Sequence, residues 1–219
     1  MEETGKKRSK RSNSSGPDAD QASAGQRLLE KLAGGDRRSI GRSNEIVAEV
    51  LHNPFLFGAL FEGLYHDDPL VRMRAADAVE KITARQPEWL GQYKGELLRD
   101  LAASDQQEIR WHVAQMLPRL ALSHAEHAAA VHILKGCLND NSSIVKACTL
   151  QALADLAQHD KYLRKEVIDL VKSAMRTGTA AMKSRGRKVL EELDLVDPRL
   201  TPMRSTPVKR NRFSKTRHR

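Results

Sequence analysis

Apolar residues return along the chain at helical spacing, in three similar segments and a weaker fourth. The three segments read DDPLVRMRAADAVEKI, DQQEIRWHVAQMLPRL and DNSSIVKACTLQALADL, and the fourth occupies residues 178–195. In each, an apolar residue is followed by apolar, small or medium residues four, eight and eleven positions later, which places all of them on one helix face. The first apolar residues of this pattern are Val71, Ile109, Val145 and Met182.

Other amphipathic segments lie between these helices, and each starts with residues typical of a helix N-terminus. Asn53 with Pro54, Pro87, Ser123 and Asp160 are residues of this kind. The pattern therefore predicts a unit of helix, turn and helix that repeats about every 37 residues. A single unit cannot bury its apolar face, so we expect the units to stack.

Both ends of the chain differ from this pattern. Residues 1–20 are polar and nearly free of apolar residues, and residues 199–219 contain two Thr-Pro pairs. Such segments bury too little surface to offset the entropy lost on ordering. We therefore predict a disordered N-terminal tail (1–20), a solenoid domain (21–198) and a disordered basic C-terminal tail (199–219).

The positive charge of the chain is concentrated in the C-terminal tail. The net charge is +9, but residues 199–219 hold eight lysines and arginines and no acidic residue. Residues 21–198 carry equal numbers of basic and acidic residues. The charge of the whole chain is thus weak evidence that the domain itself binds nucleic acid.

The sequence favours an intracellular protein. It has no run of 18 apolar residues that would span a membrane. Cys137 and Cys148 do not form a disulfide framework and are expected to be buried free thiols. We therefore expect a cytoplasmic location. In a eukaryote the location could be nuclear, because the basic run Lys6–Arg11 has the composition of a nuclear import signal. The same composition also occurs in disordered basic arms.

The segment from Asp67 to Ile82 resembles the second helix of a HEAT repeat, with its Asp, Val-Arg and spaced alanines. The resemblance covers about residues 21–195. It implies an all-α, right-handed α-solenoid of four to five HEAT-like helical pairs with disordered basic tails. It also implies that the second helices line a concave binding surface, and that the protein is a scaffold or binding protein and not an enzyme.

The sequence predicts no catalytic, metal or cofactor site. It lacks the nucleophile elbow, the Walker loop, the dinucleotide fingerprint and the CxxC pair. His124 and His127 have the HxxH spacing that could place two imidazoles on one helix face. With no cysteine or carboxylate partner evident, they are interpreted as surface histidines.

Trp111 stands out because its register position, shared with Met73, lies off the apolar face. The position of Trp111 resembles that of aromatic residues in HEAT-like alkylpurine DNA glycosylases. In those proteins, aromatic residues and a catalytic Asp occupy the concave surface. In that family a carboxylate lies one turn after such a Trp, whereas this chain has Gln115 there. The resemblance therefore implies no glycosylase activity. Two roles for Trp111 remain open: packing against a neighbouring second helix or the Pro118 bend, and contact with a ligand.

A basic residue follows the first apolar residue of every repeat: Arg72, Arg110, Lys146 and Lys183. This row is either a track for phosphates or acidic peptides, or a structural ladder pairing with acids in neighbouring turns, such as Asp68, Asp105 or Asp140. The ladder is favoured, because the domain supplies an acid for each base.

We therefore predict a protein that binds a protein partner on the concave surface. The candidate contacts are Arg72, Met73, Asp77, Arg110, Trp111, Gln115, Lys146 and Gln151. The alternative is binding of a nucleic-acid backbone by the last helix and the C-terminal tail. Its candidate residues are Lys183, Arg185, Arg187, Lys188, Lys209, Arg210 and Arg212.

Overall fold

Ten α-helices and no strand make up the part of the chain that the computed structural model describes, residues 17–36, 38–158 and 160–196. The helices are α1 (Pro17–Glu30), α2 (Ser43–His52), α3 (Phe57–Glu62), α4 (Pro69–Thr83), α5 (Lys94–Leu98), α6 (Gln107–Met116), α7 (His124–Cys137), α8 (Ser143–Ala157), α9 (Lys161–Thr177) and α10 (Ala180–Val196). Short 3₁₀ segments cover Pro54–Leu56, Gly63–Tyr65, Pro87–Tyr93 and Leu117–Arg119.

Taken in chain order, the helices make five consecutive pairs: α1 with α2, α3 with α4, α5 with α6, α7 with α8 and α9 with α10. Within these pairs, α3 packs on α4, α7 on α8 and α9 on α10. The second helices, α2, α4, α6, α8 and α10, pack side by side in chain order. The first helices form the other layer, with α1 against α3 and α5 against α7. The predicted all-α solenoid of helical pairs is confirmed.

The core runs along the solenoid between the two layers. The residues that mark the repeated apolar face, Val71, Ile109 and Val145, are fully buried, and Met182 is 8% exposed. In the first layer, aromatic rings join the second and third pairs: the rings of Phe61 and Tyr93 stack with centroids 3.7 Å apart. Apolar burial of this kind is the main stabilising contribution in a stack of pairs.

Two of the predicted helix starts are made by side-chain caps. Ser123 accepts the backbone N–H of Glu126, whose carboxylate accepts the N–H of Ser123 in return, completing a capping box. The carboxylate of Asp160 accepts the N–H groups of the first turn of α9. Asn53 precedes a helical turn that begins at Pro54, as predicted, but this turn is 3₁₀ and the Asn53 side chain makes no capping bond.

The first helix of the third pair is broken. Pro87 begins a 3₁₀ segment of seven residues, and only the five residues Lys94–Leu98 that follow it are α-helical. Pro118 lies just after the end of α6: the helix ends at Met116 and the chain continues as a 3₁₀ turn. Proline has no backbone N–H to donate and its ring clashes with the carbonyl four residues earlier, which explains why α6 is short.

The predicted tails lie mostly outside the described residues. Helix α1 begins at Pro17, so the last four residues of the predicted N-terminal tail are helical. Residues 1–16, with the basic run Lys6–Arg11, and the tail 199–219 lie outside the described part.

The thiols of Cys137 and Cys148 are free and half-buried, whereas the sequence predicted full burial. Burial raises the pKa of both thiols.

Candidate functional site

A cleft of about 280 Å³ opens on the layer of second helices, between α4, α6 and the segment that joins α1 to α2. Met73 of α4 and Trp111 of α6 line it, as their shared register position predicted. Ile40 of the connecting segment forms the facing wall and is 42% exposed. Trp111 is half-buried and lies outside the hydrophobic core cluster. The indole is therefore available at a surface and is not a core side chain.

Arg74, which the sequence analysis did not single out, holds the connecting segment in place. Its guanidinium donates from Nη1 to the carbonyls of Leu32 (2.7 Å) and Gly34 (2.6 Å), from Nη2 to Asp36 (3.1 Å) and from Nε to Ser39 (3.2 Å). Arg74 is only 3% exposed. A guanidinium can satisfy several carbonyls at once because its donors point in fixed, diverging directions.

Glycines give the connecting segment its shape. Gly34, Gly35 and Gly41 have φ of 71°, 83° and 55°, values that residues with a Cβ rarely adopt. At Gly41 a Cβ would also lie 2.7 Å from Cζ of Arg74. The cleft wall thus depends on glycine backbone geometry and on one buried arginine.

His112 lines the cleft beside Trp111 and is 7% exposed. Burial lowers its pKa from 6.5 to about 4, against the opposing effect of the Asp77 and Glu80 carboxylates. The imidazole is therefore neutral at pH 7. Its Nδ1 has no hydrogen-bond partner among the described residues, and its ring meets the indole of Trp111 edge-on with centroids 5.6 Å apart.

Two carboxylates of the cleft differ in their partners. Asp77 accepts a hydrogen bond from Ser43 Oγ and forms an ion pair with Lys81 at 2.7 Å. Glu108 is 9% exposed and accepts one long hydrogen bond, 3.5 Å, from the side chain of Gln107. Within the described ranges, no cationic group forms an ion pair with Glu108. A largely buried carboxylate without a counter-charge is costly, so a ligand that donates to it gains more than it would at a solvated site.

The first two members of the basic row are structural. Arg72 donates to the carbonyls of His66 (2.8 Å) and Asp67 (3.0 Å) and to the Gln106 side chain (2.9 Å). Arg110 repeats the arrangement, with Ser104 O at 2.8 Å and Asp140 Oδ2 at 2.6 Å. The predicted pairing with an acid holds for Arg110, whereas Arg72 uses a neutral amide and carbonyls.

The row does not continue as a ladder. The ammonium groups of Lys146 and Lys183 have no hydrogen-bond or ion-pair partner among the described residues. The guanidinium groups of Arg72 and Arg110 are engaged inside the chain, so the geometry favours structural roles for these two over the partner contact that we predicted.

The two predicted glutamines occupy different parts of the second-helix layer. Gln115 donates to the backbone carbonyl of Trp111 at 3.2 Å, one turn earlier on α6. Gln151 connects α8 to α10, with Nε2 at 2.7 Å from Glu192 and Oε1 at 3.1 Å from Arg185 Nη1. The structure thus groups Met73, Asp77 and Trp111 at one cleft and leaves Gln151 on a separate section of the layer.

The residues of the alternative site are exposed on α10 as far as the structure describes them. Lys183, Arg185, Arg187 and Lys188 are all exposed. The remaining candidates, Lys209, Arg210 and Arg212, lie outside the described residues.

A larger groove of about 740 Å³ contains His124 and His127, and two of its polar residues, His127 and Asp160, make contacts within the fold. Nε2 of His127 lies 3.4 Å from Leu156 O, and the Asp160 carboxylate caps α9.

In the described part of the chain, no three His, Cys, Asp or Glu residues are grouped as a metal ion would require. None of the described helices has the length and apolar character to cross a bilayer.

Sequence reasoning missed Arg74, Glu108 and His112. A signal existed for Arg74, which lies three residues after Val71 and so falls on the apolar face, where a charged residue needs internal partners. The same signal existed for His112, which lies three residues after Ile109 at the register position of Arg74. Contacts between residues 35 to 42 positions apart cannot be inferred from local periodicity.

Comparison with known proteins agrees with this architecture. The family model of the HEAT repeat domain matches residues 30–193. An engineered protein known from its crystal structure is similar, with a TM-score of 0.54 and 17% identity over 82% of this chain and 83% of that one. A designed armadillo repeat protein gives a TM-score of 0.49 and 18% identity over 90% of each chain. The comparison with curated proteins gives no match.

Proposed function

The chain belongs to the HEAT repeat family, and on this premise we propose that it is a non-enzymatic binding protein that captures a protein segment on its second helices. The observation that carries the proposal is the cleft where a half-buried Trp111 lies beside Met73 and the Glu108 carboxylate. Apolar area and a carboxylate with one long hydrogen bond are thus brought together at one cleft.

The residue types at this cleft are those that contribute most to protein interfaces. Tryptophan is enriched among residues whose truncation costs a complex more than about 2 kcal/mol. Met73 adds a flexible thioether that adapts to the shape of a partner. The Glu108 carboxylate, which accepts one long hydrogen bond within the chain, supplies orientation, because a donor on the partner would complete its hydrogen bonding.

The size of the cleft supports a protein partner over a free small molecule. At about 280 Å³ it is at or below the smallest pockets that enclose drug-sized ligands, roughly 300 Å³. It can accept one anchoring side chain, and the adjacent surfaces of α4, α6 and α8 extend the contact to the rest of a segment. Interfaces of this kind combine one buried anchor with a broader polar rim.

The test is truncation of Trp111 with a matched control. Trp111→Ala should unfold at a temperature close to that of the wild type, since the indole lies outside the core, and should lose most of its captured partner in a pull-down. Tyr162→Ala removes an aromatic ring that is 79% exposed on α9, away from the cleft, and should capture as the wild type does.

Two results would count against the proposal. A large loss of thermal stability in Trp111→Ala would make the indole a structural residue. Equal capture by the wild type and Trp111→Ala would place the binding surface elsewhere on the solenoid. Photo-crosslinking from position 73, which lines the same cleft, then identifies the partner directly and excludes indirect effects of the truncation.

A further inference from the structure

A dense group of cations covers the far end of the solenoid, where the C-terminal half of α9 meets the N-terminal half of α10. Between residues 170 and 190 the chain has six lysines and arginines and no acidic residue. We call these six residues the end patch. They are Lys172, Arg176, Lys183, Arg185, Arg187 and Lys188.

All six side chains of the end patch are exposed. Arg176 donates to Ser173 Oγ at 3.1 Å and Arg185 to Gln151 Oε1 at 3.1 Å, both neutral acceptors. In the ranges that the structure describes, none of the six forms an ion pair with an acid. The end patch therefore differs from Arg110, Arg119 and Lys81, whose charges are neutralised inside the fold.

A close helix crossing brings the two halves of the end patch together. Gly186 of α10 lies against α9, where a Cβ on it would be 2.6 Å from Cγ of Met175 and 3.3 Å from Cγ1 of Val171. The absence of a side chain at Gly186 lets the helix axes approach. Lys172 and Arg176 on α9, and Lys183 and Arg187 on α10, are each four residues apart and so lie on one face of their helix.

From this arrangement we infer that the end patch binds the phosphate backbone of a nucleic acid, on a surface separate from the Trp111 cleft. Concentrated positive charge without internal counter-ions is the electrostatic feature that phosphodiester chains recognise. The three arginines add planar donors that match phosphate oxygens in pairs. In the sequence, residues 199–219 carry eight more basic residues and no acidic one.

The surface around the end patch favours a polyanion in solution over a membrane. The large exposed apolar residues of the described chain are Ile40, Phe55, Tyr65, Ile144 and Tyr162, and none lies between 170 and 190. Stable attachment to a lipid surface requires an apolar face or a second anchoring signal in addition to charge. Contacts to phosphates alone carry no sequence information, so the binding is expected to be insensitive to base sequence.

The test measures fluorescence anisotropy of a labelled 20-base-pair DNA duplex, and of an RNA duplex of the same length, with the full chain. The patch variant carries Lys172→Gln, Arg176→Gln, Lys183→Gln and Arg187→Gln. Across about 50 to 200 mM salt, each phosphate contact contributes about 0.9 to the slope of log affinity against log salt, so losing four contacts lowers the slope by up to about 3.6. A reduced slope on either duplex supports the inference.

A control variant removes the same number of charges elsewhere. It carries Arg27→Gln, Arg85→Gln, Arg99→Gln and Lys161→Gln, all at exposed positions outside the end patch. It should keep the wild-type slope, which separates a local contact from a general effect of net charge. Trp111→Ala should also bind the duplexes as the wild type does, so failure of the protein-binding proposal leaves this inference standing.

Three outcomes would overturn the inference. The patch variant could retain the wild-type affinity and slope, which would assign any binding to the tail alone. The control variant could lose as much as the patch variant. The wild type could ignore both duplexes and bind either poly-glutamate or phosphatidylserine vesicles, which would make the ligand an acidic protein or a membrane.

Discussion

Arg110 and Asp140 join two consecutive helical pairs through a hydrogen bond of 2.6 Å from Nε to Oδ2. This bond is the main reason that the pKa of Asp140 lies below its ordinary value of 3.8 and that the pKa of Arg110 is raised. One repeat earlier, Arg72 makes the corresponding link to the neutral side chain of Gln106. In both links the guanidinium Nε donates to a side chain of the next repeat, and the two acceptors differ in charge, so the links can be compared directly.

Replacing Arg110 by Met should destabilise the protein at neutral pH by about 1 to 3 kcal/mol, because the Asp140 carboxylate, 8% exposed, loses its charged donor. The folded pKa of Asp140 is depressed, so the contribution of the pair is fully present above pH 3.8 and is lost as pH falls through the folded pKa. The difference between variant and wild type should therefore shrink in acid. Urea unfolding at several pH values measures it.

Arg72→Met provides the matched control for that measurement. Its partners are the Gln106 amide and two carbonyls, none of which titrates in acid. The stability deficit of Arg72→Met should stay constant over the range in which the deficit of Arg110→Met declines. The same pH dependence in both variants would contradict a role for the Asp140 charge.

His112 should make the protein less stable in mild acid. Its folded pKa is about 4 against 6.5 when unfolded, so between these values the unfolded chain binds the additional proton. Stability should fall as pH drops from 6.5 to about 4, with a slope of up to about 1.4 kcal/mol per pH unit from this group. His112→Leu should remove this contribution, whereas His132→Gln at an exposed position should leave it unchanged.

Proton NMR of the histidine rings checks the assignment independently. The imidazole of His112 should remain neutral until pH approaches about 4. A His112 ring that gains its proton near pH 6.5 would show that the cleft is open to water, and the acid destabilisation would then need another cause.

Arg74→Lys should release the segment that joins α1 to α2. A lysine ammonium is a compact group and cannot donate simultaneously to carbonyls that surround a planar guanidinium. Each carbonyl left unsatisfied costs about 1 to 3 kcal/mol. Trypsin should cleave after Arg38 or Arg42 sooner in Arg74→Lys than in the wild type. Arg99→Lys, an exposed substitution on another turn, should not change the cleavage rate.

Gly186→Ala and Gly136→Ala should have opposite effects on stability. A Cβ at Gly136 in α7 meets nothing within 4 Å, so alanine there should stabilise the helix by about 0.5 to 1 kcal/mol. At Gly186 the Cβ would lie 2.6 Å from Cγ of Met175, and overpacking of this kind costs about 1 to 3 kcal/mol. Thermal unfolding of both variants compares them. Equal stabilisation would mean that α9 and α10 separate without cost.

Periodicity predicted what depends on local spacing. The buried positions of Val71, Ile109 and Val145, and the placement of Met73 beside Trp111, follow from a helix of 3.6 residues per turn repeated at near-constant length. These features need no knowledge of distant partners.

The cleft could not be predicted, because it is formed by a contact between segments that have no common pattern. Arg74 reaches carbonyls 35 to 42 positions earlier in the chain, in a segment shaped by glycines of positive φ. The partner of Arg72 was also beyond sequence reasoning, since it is the neutral amide of Gln106 and not an acid of the neighbouring turn. Periodicity identifies the register of a repeat protein, whereas departures from the repeat determine its surface.

The side-by-side order of the second helices has a consequence for how such a chain can change in length. The main contacts of each helical pair are made with the pair before it and the pair after it. A duplicated pair inserted into the stack would need no new kind of interface, and an arginine one position after its first apolar residue could again bridge to the next turn, as Arg110 does. Duplication of a helical pair can therefore lengthen the protein without changing the residues of the cleft or of the end patch.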